Sequence, residues 1–187
     1  LPTATIAGTV DVCQNETQPS VTFEGAVGVA PYTFTYNVNG GANQTVVSVG
    51  NTATVLVPTS TSGNFIYNLV SVQDASSTTC SNLQSGSATV NVKPLPVVTA
   101  TPSLETICSG ANTAINLSSV PVNATYAWTV VSNGISGDAP GTGNTIGQTL
   151  TATGTAVGTA TYTITPTLNG CVGLPTDVII TINPLPT

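Results

Sequence analysis

Apolar and polar residues alternate with a period of two through much of the chain. In segment 32–38 every second residue is large and apolar, namely Tyr32, Phe34, Tyr36 and Val38. Segment 126–130 repeats the alternation and carries two aromatic rings on the same side. Successive side chains of a β-strand point to opposite faces, so each segment predicts a strand with one face in a core and the other in solvent.

Shorter alternating segments and runs of β-branched residues predict further strands. They lie at 3–10, 20–24, 52–57, 64–72, 87–92, 160–165 and 177–182. Asn39-Gly40 and Asn133-Gly134 follow the two aromatic segments, and both residue types tolerate the positive φ angles of tight turns. No segment of the sequence has the period of a helix. Many short strands separated by such turns predict an all-β fold of the β-sandwich type.

The chain contains an internal repeat. Landmark residues of the first half recur 90 to 95 positions later. The matched pairs are Cys13 and Cys108, Tyr36 and Trp128, Tyr67 and Tyr162, Cys80 and Cys171, and Pro96 and Pro186. Small differences in offset are typical of modules that share strands but differ in loop length. We therefore predict two tandem β-sandwich domains, 1–93 and 97–187.

A Pro-Leu-Pro segment, 94–96, separates the two predicted domains, and the second domain ends in the same tripeptide. Proline fixes φ and lacks a backbone donor, which makes a short and semi-rigid linker. The sequence thus predicts a stalk-like arrangement of repeats.

Ionisable side chains are few and almost all acidic. The 187 residues include one Lys or Arg, seven Asp or Glu and no His, for a formal net charge of -6. Histidine and lysine supply most general bases and Schiff-base formers, so we predict no enzyme activity, no catalytic residues and no cofactor. Binding to nucleic-acid phosphates or to an anionic membrane surface requires clustered cations, so neither is an expected partner. The apolar runs are far shorter than the roughly 20 residues of a membrane helix, which argues against membrane insertion.

Each half contains two cysteines, and all four are predicted disulfide residues: Cys13, Cys80, Cys108 and Cys171. Four cysteines allow three pairings, and their recurrence at equivalent positions favours Cys13 with Cys80 and Cys108 with Cys171. The alternatives are four free thiols, or a bond between domains such as Cys80 with Cys108. In an immunoglobulin-like strand order, the end of the first strand and the turn before the last can lie at opposite ends of the sandwich, which would exclude pairing within a domain. Disulfides would place the chain outside the cytoplasm.

The sequence predicts no metal site. Its carboxylates are scattered and form no D-x-D run, as their positions show: Asp11, Glu16, Glu24, Asp74, Glu105, Asp138 and Asp177. Calcium sites in proteins cluster such oxygens. Two thiols per half without histidine do not make a zinc site either.

Several short motifs point to a known family. They are Ile-Cys-Ser-Gly at 107–110, Tyr-Ala-Trp-Thr at 126–129, Tyr-Thr-Ile-Thr at 162–165, Asn-Gly-Cys at 169–171 and Val-Ile-Ile-Thr-Ile at 178–182. In this order they resemble the PKD-like or immunoglobulin-like repeats of giant surface adhesins of gliding Bacteroidetes. The resemblance is clear in the second half and looser in the first, where segment 12–15 lacks the glycine two residues after the cysteine and the loop before Cys80 is longer.

The resemblance implies two tandem Ig-like/PKD-like sandwiches in an extracellular, cell-surface protein exported by the type IX secretion system. It also implies that the parent protein attaches to a substratum or polysaccharide during gliding, and that neighbouring repeats contact this segment. The expected function is a load-bearing spacer.

The alternative is a carbohydrate-binding module that recognises a surface polysaccharide through its loops, around 134–143. An exposed aromatic ring or a concave polar groove there would favour it. The aromatic residues all lie in predicted strands, where they are expected to form the core.

Overall fold

The computed structural model describes residues 1–186, so Thr187, the last residue of the predicted second domain, lies outside the described part. The chain divides into two compact units, Leu1–Pro94 and Leu95–Thr187, here called the first and second modules. All regular secondary structure in residues 1–186 is β, which confirms the predicted all-β fold. In that range no helix has the length and hydropathy needed to cross a membrane.

The first module has nine strands in two sheets. The strands are β1 (Thr3–Ala7), β2 (Val10–Cys13), β3 (Ser20–Ala26), β4 (Thr33–Val38), β5 (Gln44–Val47), β6 (Thr52–Leu56), β7 (Gly63–Gln73), β8 (Ser81–Leu83) and β9 (Ser87–Lys93). One sheet has the order β1-β3-β6. The other has the order β2-β9-β7-β4-β5, with β8 paired to β7.

The second module repeats this plan with additional short strands. They are β10 (Val97–Thr101), β11 (Leu104–Cys108), β12 (Ala111–Asn112), β13 (Ile115–Val120), β14 (Thr125–Asn133), β15 (Ile135–Ser136), β16 (Gly141–Thr142), β17 (Thr145–Ile146), β18 (Thr149–Ala152), β19 (Gly158–Leu168), β20 (Cys171–Val172) and β21 (Thr176–Asn183). The sheets run β10-β13-β17 and β11-β21-β19-β14-β16, β20 pairs with β19, and β12-β18-β15 form a third sheet.

Each module has its own hydrophobic core, filled from the inward faces of the alternating strands. In the first module, Phe34 is fully buried between Phe23 and Tyr32, with ring centroids 5.6 and 6.2 Å away. In the second module, Trp128 and Tyr162 are buried with a set of isoleucines from β13, β17, β19 and β21. The aromatic residues predicted as core are therefore buried, except Phe65, which is partly buried against the core of the first module.

The predicted single strand 3–10 is wrong, because the chain changes sheets in its middle. β1 pairs with β3, whereas β2 pairs with β9 of the other sheet. Gly8 lies at the crossing with φ 120°, a value that L side chains rarely adopt. A Cβ at this position would lie 2.5 Å from the carbonyl oxygen of Ser20.

Gly8→Ala is expected to destabilise the first module by at least about 1 kcal/mol, because alanine is strained at positive φ and collides with the Ser20 carbonyl. Urea denaturation followed by circular dichroism measures this loss. Gly154→Ala is the matched control, since no heavy atom lies within 4 Å of a Cβ there. Equal effects of the two substitutions would contradict this account of the crossing.

Candidate functional site

In chain order, β2 and β9 are the first and last strands of the larger sheet of the first module, and they are parallel neighbours. β2 pairs with β9 from Val10 opposite Val90 to Cys13 opposite Lys93. The ladder continues one residue further, where the Gln14 N–H donates to the Lys93 carbonyl at 2.8 Å. The strand by which the chain enters this sheet and the strand by which it leaves the module are therefore neighbours.

The second module has the same arrangement. β11 pairs in parallel with β21 over five residues, from Leu104 opposite Ile179 to Cys108 opposite Asn183. Here too the next residue extends the ladder, since the Ser109 N–H donates to the Asn183 carbonyl at 2.8 Å. We call β2 with β9, and β11 with β21, the clamp of each module.

The direction of the clamp decides how it responds to tension. The chain enters β11 at Leu104 and leaves β21 at Asn183, which lie at opposite ends of the pair. Tension along the chain then slides the two strands past each other and loads the whole ladder at once. Strands pulled apart from one end would instead lose their hydrogen bonds one at a time. The geometry is thus suited to bearing load.

An ion pair crosses the clamp of the first module. Lys93 Nζ lies 2.9 Å from Asp11 Oδ2, and Asn91 Nδ2 donates to Asp11 Oδ1 at 3.2 Å. The hydrogen bond from Lys93, and then the one from Asn91, hold the pKa of Asp11 below its ordinary value. A carboxylate with a lowered pKa stabilises the folded state above its unfolded pKa, and this contribution is lost as the pH falls through the folded value.

The predicted pairing of cysteines within each module is wrong. Cys80 and Cys108 are free thiols. In the first module, Cys13 lies opposite Lys93, beside the start of β7. Cys80 lies beside the end of β7, because the next residue, Ser81, pairs with Gln73, the last residue of that strand. An eleven-residue strand is about 33 Å long. A disulfide needs Cα atoms less than about 7 Å apart, so these two cysteines cannot pair.

The second module excludes its predicted pair in the same way. Cys108 lies opposite Asn183, and the neighbouring Ile182 pairs with Gly158 at the start of β19. Cys171 pairs with Leu168 at the end of the same eleven-residue strand. Cys13 and Cys171 are nevertheless disulfide-bonded, as predicted for these two residues.

The loop preceding Cys80 is organised by a buried carboxylate. Asp74 accepts a hydrogen bond from the Ser76 hydroxyl at 2.7 Å and another from the Val29 N–H at 3.3 Å. The Ser76 hydroxyl is the main reason that the pKa of Asp74 lies below its ordinary value. Asp74 therefore holds the loop in place.

A pocket of about 400 Å³ borders the loop proposed for carbohydrate. Its lining residues are Thr125, Tyr126, Ala127, Thr142, Gly143, Asn144 and Thr167. Tyr126 is only 6% exposed. Trp128, in the same strand, packs over Gly141 and donates from Nε1 to the Ala139 carbonyl at 3.2 Å. The pocket is concave and partly polar, but the ring of Tyr126 is buried in the core.

Tyr162 is the side chain with the largest pKa shift. It is fully buried and donates to Gln148 Oε1 at 2.6 Å. Burial, with a smaller contribution from the negative charge of Asp138, raises the pKa of Tyr162 to about 12. Burial in the core thus favours the neutral phenol of Tyr162 over the phenolate.

The second module is expected to lose stability as the pH rises from about 10 towards 12. A tyrosine whose folded pKa is raised contributes stability below its unfolded pKa, and that contribution disappears as the pH approaches the folded value. Thermal unfolding across this range should show a falling midpoint, and Tyr162→Phe should flatten the dependence. An unchanged slope in Tyr162→Phe would contradict the assignment.

No group of three or more His, Cys, Asp or Glu side chains suited to a metal ion occurs within residues 1–186. Asp11 and Asp74, two of the carboxylates considered for calcium, have their partners within the first module. The candidate functional features are therefore the clamp and the cysteines that lie at the two ends of each module. Sequence reasoning missed the clamp, although Gly8 and Pro102, which interrupt the first strand of each module, are local signals of it.

A known protein family matches the second module. Residues 105–186 match the family described as PKD-like domain, and this range runs from β11 to β21. The second module is therefore similar to PKD-like domains. The resemblance predicted from its motifs is confirmed at this level. PKD/Ig-like domains are typically not enzymes, and those with a disulfide are typical of extracellular proteins.

Two solved structures are similar to this chain over almost its whole length. The fibronectin(III)-like modules of Clostridium thermocellum CbhA are 11% identical, with 97% of this chain and 94% of that chain covered and a TM-score of 0.38. Human mucin-like protocadherin EC1-2 is 10% identical, with 98% of both chains covered and a TM-score of 0.46. No curated protein matches the chain significantly.

Proposed function

We propose that this chain is a repeat segment of a large extracellular adhesin, in which it acts as a load-bearing spacer. The observation that carries the proposal is the parallel clamp between the first and last strands of the larger sheet, present in both modules. A module loaded in shear resists tension through several hydrogen bonds together. Repetition of such modules supplies length, while binding is left to other parts of the parent protein.

The proposed setting is the surface of a gliding bacterium. The motifs at 107–110 and 126–129 resemble repeats of the gliding-motility adhesin SprB, which is exported by type IX secretion. Disulfide-bonded Cys13 and Cys171 fit an oxidising compartment outside the cytoplasm. The partners would be neighbouring repeats, with the substratum or polysaccharide bound through the parent protein.

Single-molecule pulling tests the proposal. With the cysteines reduced, tension applied at the two chain ends should produce two unfolding events at high force. Each should release about 300 Å of chain, the extended length of a module of about 90 residues. Gradual extension without force peaks would refute the load-bearing role.

A carbohydrate-binding role is the alternative, and the pocket beside Asn144 is the observation that favours it. We expect no saturable binding of the chain to a polysaccharide panel, because sugar rings stack on exposed aromatic faces and Tyr126 is buried. The unrelated control is a β-sandwich of another family. Saturable binding that Asn144→Ala abolishes and Asn133→Ala preserves would establish the alternative instead.

A further inference from the structure

Each module carries one cysteine at each of its two ends. Cys80 lies at the end where the first module begins, since the Asn82 side chain, two residues on, donates to the Pro2 carbonyl at 3.0 Å. Cys171 holds the same place in the second module, because Gly173 lies directly against the Pro96 carbonyl. We call Cys80 and Cys171 the N-end cysteines.

The other two cysteines lie where each module ends. Cys13 is opposite Lys93, the residue before Pro94, and Cys108 is opposite Asn183, the residue before Pro184. We call Cys13 and Cys108 the C-end cysteines. Both modules therefore carry one cysteine at the N-terminal end and one at the C-terminal end.

Within each of these two classes, one member is disulfide-bonded and the other is free. Cys171 is bonded and its equivalent Cys80 is free; Cys13 is bonded and its equivalent Cys108 is free. Both positions are therefore compatible with a disulfide in this fold. The free thiols are also accessible: Cys108 is exposed, and Cys80 is half-buried with its sulfur 3.1 Å from the Thr78 hydroxyl.

We propose that Cys80 and Cys108 are cross-linking sites for further copies of this module, with Cys108 bonding the N-end cysteine of a following copy and Cys80 the C-end cysteine of a preceding one. In a tandem array the C-terminal end of one module adjoins the N-terminal end of the next, so the two classes are complementary. The result is a covalent connection between repeats in addition to the peptide chain.

The bond forms by thiol–disulfide exchange with a small disulfide such as oxidised glutathione. The Cys108 thiolate attacks glutathione disulfide, which forms a mixed disulfide and releases one glutathione thiol. The N-end thiolate of the next copy then attacks the Cys108 sulfur and releases the second glutathione. One disulfide is broken and one is formed, and the two protein protons leave with the two reduced glutathiones.

A tandem duplication tests the proposal, with residue 3 of the second copy directly following Pro186 of the first so that the junction repeats the 94–97 pattern. Two free thiols per copy give four before oxidation. After glutathione oxidation we expect two, with peptide mapping by pepsin linking Cys108 of the first copy to Cys80 of the second. Replacing Cys108 of the first copy by serine should leave three free thiols in oxidised and unoxidised protein alike. Four thiols in the oxidised duplication, or a different pairing, would overturn the proposal.

A second measurement uses the 187-residue chain itself, in case the duplication does not fold. Cys80→Ser and Cys108→Ser variants are mixed at high concentration with oxidised glutathione, one of them carrying a size tag. Heterodimers should exceed the proportion expected from random pairing, because the two thiols belong to complementary module ends. Random proportions, or no dimer, would refute the complementarity. The thiol readout is independent of unfolding force, so its failure is distinguishable from failure of the spacer function.

Discussion

Phe34→Ala is expected to destabilise the first module by about 3–5 kcal/mol, the usual cost of removing a fully buried phenylalanine. Phe34 has no exposed surface and contacts the rings of Phe23 and Tyr32. Its removal leaves a cavity that these neighbours cannot fill without leaving their own positions. A domain of this size is stable by only about 5–15 kcal/mol, so much of that stability is lost.

Urea denaturation followed by circular dichroism measures this loss. Val47→Ala is the control, because Val47 lies on edge strand β5 and is 58% exposed. It should change stability by no more than about 0.5 kcal/mol. A loss for Phe34→Ala as small as that of Val47→Ala would show that the ring does not anchor the core.

Ile107→Pro is expected to weaken the clamp of the second module and to lower the force at which that module unfolds. The Ser109 N–H points to β21, and alternate residues of a parallel strand direct their N–H groups the same way, so the Ile107 N–H also faces β21. Proline removes this donor and leaves a carbonyl of β21 without its partner. The cost in stability is about 1–3 kcal/mol.

Two controls separate the hydrogen bond from other effects of Ile107→Pro. Thr106→Pro places a proline where the N–H faces away from β21, so the ladder stays intact. Ile107→Ala removes the side chain that packs on the core but keeps the donor. Pulling experiments should show the lowest force for Ile107→Pro. A force for Thr106→Pro as low as that for Ile107→Pro would contradict the clamp.

The local part of the fold was predictable from the sequence because strand patterns are local. The alternation of Tyr32, Phe34 and Tyr36 predicted both the strand and its buried face. The long strand β7 was likewise predicted to within one residue at each end, as 64–72 against Gly63–Gln73. The repeat of landmark residues predicted a second copy with the same plan.

The functional features were not predictable because they depend on pairing between distant segments. Nothing in the residues of β2 and β9 indicates that they are parallel neighbours, since Val10 and Val90 are eighty residues apart in the chain. The predicted pairing of the cysteines was wrong for the same reason. The recurrence of Cys13 and Cys80 showed that their positions are equivalent between modules, whereas the length of β7 determines that they lie at opposite ends.

The most direct test of the load-bearing account compares two directions of force on one clamp. In a chain whose native cysteines are replaced by alanine, handles are attached at introduced cysteines, either at Leu104 and Asn183 or at Leu104 and Ile179. The first pair loads β11 and β21 from opposite ends, and the second pair pulls them apart from the same end, where Leu104 lies opposite Ile179. The account predicts a severalfold higher unfolding force for Leu104 with Asn183; equal forces in the two geometries would contradict it.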